Sequence, residues 1–377
     1  MVESYYGDPL LLCPGPLSTR REVRQAMERD FGSRDEAFIA LTRRVQDRLL
    51  QVANAAQTHA AIPLQGSGTF AVEAALSSLL GPNDHLLILE NGAYGRRIET
   101  VAARLGIQRT VLRVAENEPL DPDELSRELK RDTSITRIAF VHCETSSGIL
   151  NPLEAIADVA TRHRKSLIVD AMSSFGALPI DLTKLRIEAL ISSANKCLEG
   201  VPGLSFVLVD RNAIPTMEGR CPSLVLDLYA QWAGFEADGQ WRFTPPVQVV
   251  AALDRALDFL EEEGGPAGRL KRYAANRDLL VVGMERLGFT PFLDPSCQSP
   301  IIASFIPPQI NGFRLADFHA QLRKRGFVIY PGKLTAIDSL RVGCIGHVRQ
   351  EDIRNFLCAA EDCLSAVPLS HPVEGVN

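Results

Sequence analysis

A single lysine, Lys196, lies between two apolar segments of the sequence. The run 189–193 precedes it, and a second apolar run, 204–210, follows. Burial disfavours the charged form of an amine, so it lowers the pKa of a lysine and makes the amine a better nucleophile. A lone lysine in such a place is more often a turn residue at the surface, here paired with Glu199. Its chemistry therefore depends on the groups that accompany it.

Asp170 is the first such group, because it ends the apolar run "SLIVD". The carboxyl end of a buried parallel strand opens into the crevice where α/β proteins bind ligands. A reactive lysine and a carboxylate are the pair that pyridoxal phosphate requires: the lysine carries the aldehyde, and the carboxylate keeps the pyridine nitrogen protonated. An aspartate that caps a helix or a surface turn is the alternative for Asp170 alone.

The segment 66–69, Gly-Ser-Gly-Thr, is a candidate phosphate site at the predicted start of a helix. Free N–H groups and the helix dipole favour a phosphate dianion there. The segment is not a Walker A loop, because no Gly-Lys-Ser/Thr follows, and it is not a convincing dinucleotide fingerprint. Tyr94, just after the apolar run 85–91, offers an aromatic ring to the same crevice. An ordinary loop is the alternative in both cases.

These groups require a scaffold of alternating strands and helices, which the sequence predicts. Continuous apolar runs predict strands buried on both faces at 85–91, 137–144, 166–172, 189–193 and 204–210. Helical periodicity predicts helices from Ser18 to about Asp30 with Ser18 as N-cap, over 36–53, and from Gln65 to Leu80. Strands that alternate with helices predict an α/β fold with a mostly parallel sheet.

A second, smaller unit is predicted after the amphipathic helix that ends at Gly264-Gly265. Beyond it, helical stretches and short apolar runs predict an α+β domain. The predicted division assigns residues 18–260 to a large cofactor-binding domain, and residues 1–17 together with 261–377 to the small domain.

The composition argues against several classes of protein. The chain has 377 residues, 46% hydrophobic content and a formal net charge of −6, and no dense basic stretch indicates nucleic acid. No apolar run reaches membrane-spanning length, and the N-terminus lacks the basic start of a signal peptide. The eight cysteines form no C-x-x-C pair and the histidines no ligand pattern, so we expect a cytoplasmic protein with reduced thiols and no metal.

Several segments, taken in order, resemble the class V aminotransferases of pyridoxal phosphate fold type I. They extend from about residue 9 to about 360 and include "PLQGSGTFAVEAAL", "NGAYGRR", "IVDAMSSFGALPID", "SSANKCLEGVPGLSFV", "FVIYPGK" and "LRVGCIG". The resemblance implies pyridoxal 5'-phosphate as cofactor, a large domain with a seven-stranded sheet, and a homodimer with a shared active site. It also implies transamination of 2-aminoethylphosphonate with pyruvate, giving phosphonoacetaldehyde and alanine.

The same resemblance implies roles for individual residues. Lys196 would bind the cofactor's aldehyde and act as catalytic base, Asp170 would hold the pyridine nitrogen, and Arg341 would bind the substrate anion. Further residues would contact the cofactor's phosphate, ring faces or hydroxyl: Ser67, Gly68, Thr69, Tyr94, Thr145, Met172, Ser193, Asn195 and, from the neighbouring subunit, Thr244.

Three residues depart from what is usual in the family: Cys13, which lies near the substrate entrance there, Pro222 and Val225. Alanine–glyoxylate and serine–pyruvate transamination are the alternative activities within the family. A non-catalytic phosphate-binding module is the alternative from another class, and a salt bridge is the structural alternative for Arg341.

Overall fold

A computed structural model of the chain describes residues 8–366. The strands in these residues are β1 (Leu10–Leu11), β2 (His59–Gln65), β3 (His85–Glu90), β4 (Gln108–Arg113), β5 (Arg137–Val141), β6 (Cys143–Glu144), β7 (Ile149–Leu150), β8 (Ser166–Asp170), β9 (Ala189–Ser193), β10 (Leu204–Asp210), β11 (Thr290–Pro291), β12 (Ile302–Ile306), β13 (Phe327–Val328), β14 (Tyr330–Pro331) and β15 (Leu340–Gly343).

Seven of these strands form the central sheet, in the order β2-β10-β9-β8-β5-β3-β4. Neighbouring strands are parallel except at β10, which is antiparallel to both β2 and β9. The predicted α/β class with a mostly parallel sheet is therefore confirmed.

The helices of the described residues are α1 (Arg21–Gln25), α2 (Glu36–Val52), α3 (Gly68–Leu79), α4 (Ala93–Arg104), α5 (Pro122–Arg131), α6 (Leu153–Arg162), α7 (Leu228–Asp238), α8 (Val247–Glu262), α9 (Gly265–Arg286), α10 (Leu315–Lys324) and α11 (Gln350–Ser365). None of them is long and apolar enough to cross a membrane.

Helices cover both faces of the central sheet. Phe38 of α2 belongs to the same buried cluster as Phe206 of the sheet, whereas Leu76 of α3 belongs to a different cluster with Ile88 and Ile191. Sheet residues buried on two sides have no solvent-facing positions, which explains why the strand sequences are continuously apolar rather than alternating.

A second, four-stranded sheet has the order β11-β12-β15-β14 and a buried cluster of its own, to which Phe305, Leu340 and Phe356 contribute. The N-terminal strand β1 pairs in parallel with β13. The domain limits at 18–260 and at 1–17 with 261–377 stay a prediction, and residues 1–7 and 367–377 of the predicted small domain lie outside the described residues.

The predicted helix from Ser18 to Asp30 is wrong in its start and its length. Helix α1 has Arg20 as its N-cap and ends at Gln25, and a single 3₁₀ turn follows. The Ser18 hydroxyl instead accepts a hydrogen bond from the Leu11 N–H at 2.9 Å, so it holds the N-terminal segment rather than the helix.

Other predicted boundaries also shift. The helix predicted from Gln65 begins at Gly68, because Gln65 is the last residue of β2. That strand was not predicted, since Pro63 argues against a central strand; β2 is an edge strand, where proline is tolerated. The edge strand β4 was not predicted either, because its sequence, Gln-Arg-Thr-Val-Leu-Arg, is not a continuous apolar run. The run predicted at 137–144 breaks after Val141, because Cys143–Glu144 turns into a separate hairpin with β7.

Candidate active site

One cavity of about 190 Å³ collects most of the predicted site residues. Ten of them line it: Ser67, Gly68, Thr69, Tyr94, Thr145, Asp170, Met172, Ser193, Asn195 and Lys196. They come from the carboxyl ends of β3, β5, β8 and β9 and from the start of α3, where an open parallel sheet places its ligand crevice.

Lys196 lies in the turn that follows β9. Its Nζ donates a hydrogen bond to the backbone oxygen of Pro14 at 2.7 Å. Burial lowers the pKa of Lys196, and within residues 8–366 no carboxylate oxygen lies within 4.0 Å of its Nζ. A side chain on Gly15 would collide with the lysine. The N-terminal segment therefore closes over the amine, which is partly desolvated as a nucleophilic lysine requires.

Asp170 is the last residue of β8, and only 6% of it is exposed. One carboxylate oxygen accepts a hydrogen bond from the Met172 N–H at 3.0 Å. Burial raises the pKa of Asp170 to about 6. Within residues 8–366 no cationic nitrogen lies within 4.0 Å of this carboxylate. A buried carboxyl group without a cation is suited to a ligand that supplies a charged N–H, as a protonated pyridine does.

The start of α3 provides the place for a phosphate. Its N-cap, Ser67, makes no side-chain hydrogen bond to the helix, so the first N–H groups of α3 are available to a ligand. A Cβ on Gly68 would overlap the sulfur of Met172, so the absence of a side chain at position 68 lets Met172 pack against the start of the helix. Arg97 donates a hydrogen bond to the Thr69 hydroxyl at 3.2 Å, which adds a positive charge beside the helix start.

Tyr94 is held at the cavity by the start of α4. The backbone N–H groups of Tyr94 and Gly95 donate to Oε2 of Glu144 at 2.9 and 3.1 Å. Burial alone would raise the pKa of Tyr94, but the positive charges of Lys196, Lys333 and Arg341 outweigh it and lower the pKa. The three positive charges therefore outweigh both burial and the nearby Glu144 carboxylate in their effect on the Tyr94 hydroxyl.

Arg341 lies on β15 of the smaller sheet and is 2% exposed. Its Nη1 donates to the backbone oxygen of Thr145 at 2.9 Å, and its Nε donates to that of Pro331 at 3.2 Å. No carboxylate oxygen of residues 8–366 lies within 4.0 Å of this guanidinium. Its protein partners are neutral, so the charge is left for another anion.

Thr244 is the one predicted cofactor-binding residue that the structure places elsewhere. It is exposed and does not line the cavity of its own chain. The role of Thr244 in a neighbouring subunit stays a prediction, as do the roles of the other site residues.

The cavity also contains residues that the sequence reasoning missed. Arg97, Cys143 and Ser173 line it, and Glu144 supports it from behind. Arg97 follows Tyr94 by three positions on α4, and residues at that spacing lie on the same face of a helix. The sequence could therefore have predicted that Arg97 lies near Tyr94. Cys143 and Glu144 gave no signal, because they lie in a run that was predicted to be one uninterrupted strand.

Comparisons with known proteins agree with this geometry. The sequence model of the class V aminotransferases matches residues 21–356. The chain is 48% identical to a 2-aminoethylphosphonate–pyruvate transaminase of Burkholderia lata, over 95% of this chain and 96% of that protein. It is 49% identical to one of Pseudomonas aeruginosa, over 94% and 96%. An alanine–glyoxylate aminotransferase from Nostoc sp. has a similar structure, with a TM-score of 0.88 and 27% identity over 95% of each chain.

Proposed function

This chain belongs to the class V aminotransferases, and we propose that it transfers the amino group of 2-aminoethylphosphonate to pyruvate. The products are phosphonoacetaldehyde and alanine, and the cofactor is pyridoxal 5'-phosphate. The observation that carries the proposal is the single cavity in which Lys196, Asp170 and the open start of α3 meet. The names of two relatives that are nearly half identical over almost the full chain supply the substrate pair.

The residues of the cavity fit this cofactor. The α3 N-terminus with Gly68 and Thr69 would hold its phosphate, Tyr94 and Met172 would cover its ring, and Asp170 would accept a hydrogen bond from its pyridine nitrogen. When bound, pyridoxal phosphate supplies a conjugated ring that accepts the electron pair released at the substrate carbon.

The protein's own groups supply the proton transfer and the substrate binding. Burial lowers the pKa of Lys196 and so favours the neutral amine, whose Nζ can take a proton from the substrate carbon and return one. Arg341 can bind either a phosphonate or a carboxylate through its planar fork, so one residue serves both substrates. The Pro14 carbonyl, which accepts a hydrogen bond from Nζ, orients the amine.

We further propose a cytoplasmic homodimer in which Thr244 of one subunit completes the phosphate site of the other. The support is that Thr244 is exposed beside an apolar surface that contains Leu224, Val225 and Phe243. Arg242 donates a hydrogen bond to the Leu224 backbone oxygen at 2.9 Å, which joins the two parts of this surface. Exposed apolar side chains of this size are typical of surfaces that a partner covers.

The reaction can be tested by measuring kcat/KM for amine donors with the purified, cofactor-loaded protein. We expect 2-aminoethylphosphonate with pyruvate to exceed alanine with glyoxylate and serine with pyruvate by at least about 30-fold, because a dianionic group suits the cationic cavity. A higher kcat/KM for alanine or serine would assign the alternative activities. The absence of amino-group transfer with all three substrate pairs would favour a non-catalytic module.

Substrate binding by Arg341 gives a separate prediction. Arg341→Lys keeps the charge but loses the fork, so kcat/KM should fall by about 30-fold, the lower end of the effect of losing a buried charged contact. The variant should be assayed for both 2-aminoethylphosphonate and pyruvate, with melting temperature and cofactor content as controls. If kcat/KM is unchanged, or if its decrease follows a loss of folded protein, Arg341 has only a structural role.

A further inference from the structure

Two cations lie close to the ring of Tyr94. The guanidinium carbon of Arg97 is 4.9 Å from the ring centroid, and Nζ of Lys333 is 5.1 Å from it. Arg97 belongs to α4, as Tyr94 does, whereas Lys333 comes from the loop between β14 and β15 of the smaller sheet. Tyr94 lines the cavity, whereas Lys333 is exposed and contacts the Tyr94 ring from outside the set of lining residues.

The loop that carries Lys333 is attached to the helix that carries Tyr94. The backbone N–H and the hydroxyl of Thr335 donate to Oε2 of Glu116 at 3.0 and 3.2 Å. Oε1 of the same carboxylate accepts a hydrogen bond from Arg96 of α4 at 2.8 Å. Glu116 therefore links the loop that carries Lys333 to helix α4, and this link helps to hold Lys333 near Tyr94.

Four cations near Tyr94 have no ion-pair partner in the described residues. Within residues 8–366, Arg97, Lys196, Lys333 and Arg341 each have no carboxylate oxygen within 4.0 Å. Arg97 is hydrogen-bonded to Thr69 at the phosphate cradle, and Lys196 is the amine of the reaction centre. Arg341 and Lys333 are the two cations left for the substrate.

We propose that Lys333 binds the phosphonate group of the substrate together with Arg341 and makes the site prefer phosphonates to carboxylates. The inference rests on the proposed function. A guanidinium fork pairs with two oxygens, which is all that a carboxylate offers. A phosphonate has a third oxygen and can carry a second negative charge. An ammonium on a flexible stem is suited to that remaining oxygen.

Two unreactive ligands of equal chain length separate this role from general attraction of anions. Ethylphosphonate and propionate both lack the amine, so neither can be transaminated. Their binding to the cofactor-loaded protein can be measured by calorimetry for wild type, Lys333→Gln and Lys333→Arg. We expect Lys333→Gln to weaken ethylphosphonate binding about tenfold and propionate binding less than about twofold. Lys333→Arg should restore most of the loss. Lys184→Gln, at an exposed lysine of another surface, is the matched control.

The possible results have distinct meanings. Equal weakening of both ligands would overturn the preference for phosphonates, and unchanged binding would show that Lys333 only contacts Tyr94. A wild type that shows the Lys333-dependent preference but does not transaminate 2-aminoethylphosphonate would refute the proposed reaction and leave the phosphonate site standing. If the wild type transaminates normally and the Lys333→Gln variant binds both ligands normally, the role of Lys333 is refuted and the proposed reaction stands.

Discussion

Replacing Lys196 with alanine should lower the rate of alanine formation by at least about 10⁴-fold, the upper end of what a proton-transferring group contributes. The reason is that the variant loses both the amine that binds the cofactor and the base that moves the proton. The fold should survive, because Lys196 lies in a turn and the only hydrogen bond of its side chain within residues 8–366 is the one from Nζ to the Pro14 carbonyl.

Chemical trapping tests this assignment independently of the rate. Borohydride links a bound aldehyde to the lysine that holds it, so peptide mapping of treated wild type should find the cofactor on the peptide that contains Lys196. Lys184→Ala, which removes an exposed lysine paired with Asp181, should change neither the rate nor the labelled peptide. A labelled peptide without Lys196 would show that a different lysine holds the cofactor.

Replacing Asp170 with asparagine should slow the reaction by about 10²–10³-fold, the effect of removing one group that stabilises developing charge. An amide has no negative charge with which to keep a pyridine nitrogen protonated. Single-turnover rates with 2-aminoethylphosphonate measure this step directly. Asp210→Asn is a matched control, because Asp210 also ends a strand and also accepts a hydrogen bond from the N–H two residues ahead, here that of Asn212 at 2.8 Å.

The same Asp170 variant should be more stable than wild type when both lack the cofactor. Burial raises the pKa of Asp170 from 3.8 to about 6. An acid with a raised pKa stabilises the fold while it is protonated: this contribution is complete below about pH 4 and is lost as pH rises through about 6. The loss amounts to about 3 kcal/mol above pH 6. Asp170→Asn removes this loss, so the advantage of the variant in unfolding free energy should grow between about pH 4 and pH 6 and level off above that.

Denaturant unfolding of both cofactor-free proteins at several pH values measures this difference in unfolding free energy. Saturation with pyridoxal phosphate should reduce or reverse the advantage of the variant, because the wild-type carboxylate then has a partner. An advantage that is the same at every pH would mean that Asp170 is not the group whose ionisation destabilises the cofactor-free protein. A rate equal to that of wild type would refute its role in the reaction.

Asp170 and Asp210 also show how far sequence reasoning reaches. Each ends a continuous apolar run of the same kind, and nothing in the local residues separates them. The structure separates them because β10 is antiparallel to β9, whereas β8 is parallel to it. The carboxyl ends of β8 and β10 therefore point in opposite directions, and the two carboxylates lie at opposite ends of the strands. Strand direction depends on connections and packing across the whole sheet, which a local pattern does not contain.

The parts of the site that follow from local sequence were predictable, whereas the contact between Lys333 and Tyr94 was not. A glycine-rich start of α3, a strand-end carboxylate and an isolated lysine are local features, and the structure places all three at one cavity. The proximity of Lys333 to Tyr94 joins a loop of the smaller sheet to helix α4, and it is set by tertiary packing. The division into strands was predicted best where both faces are buried and worst at the edges β2 and β4.

The attachment of the N-terminal segment has a consequence for the order in which the chain can fold during synthesis. The N–H of Leu10 donates to the Gly326 oxygen, and the Leu12 oxygen accepts from the Gly343 N–H, so these early residues find their partners only when the last part of the chain has been made. Contacts so distant in sequence form slowly. Pro14, which contacts Lys196, follows directly. A ribosome-bound chain that ends before Gly326 can already contain the whole central sheet, yet its lysine would still lack the cover that the first residues provide.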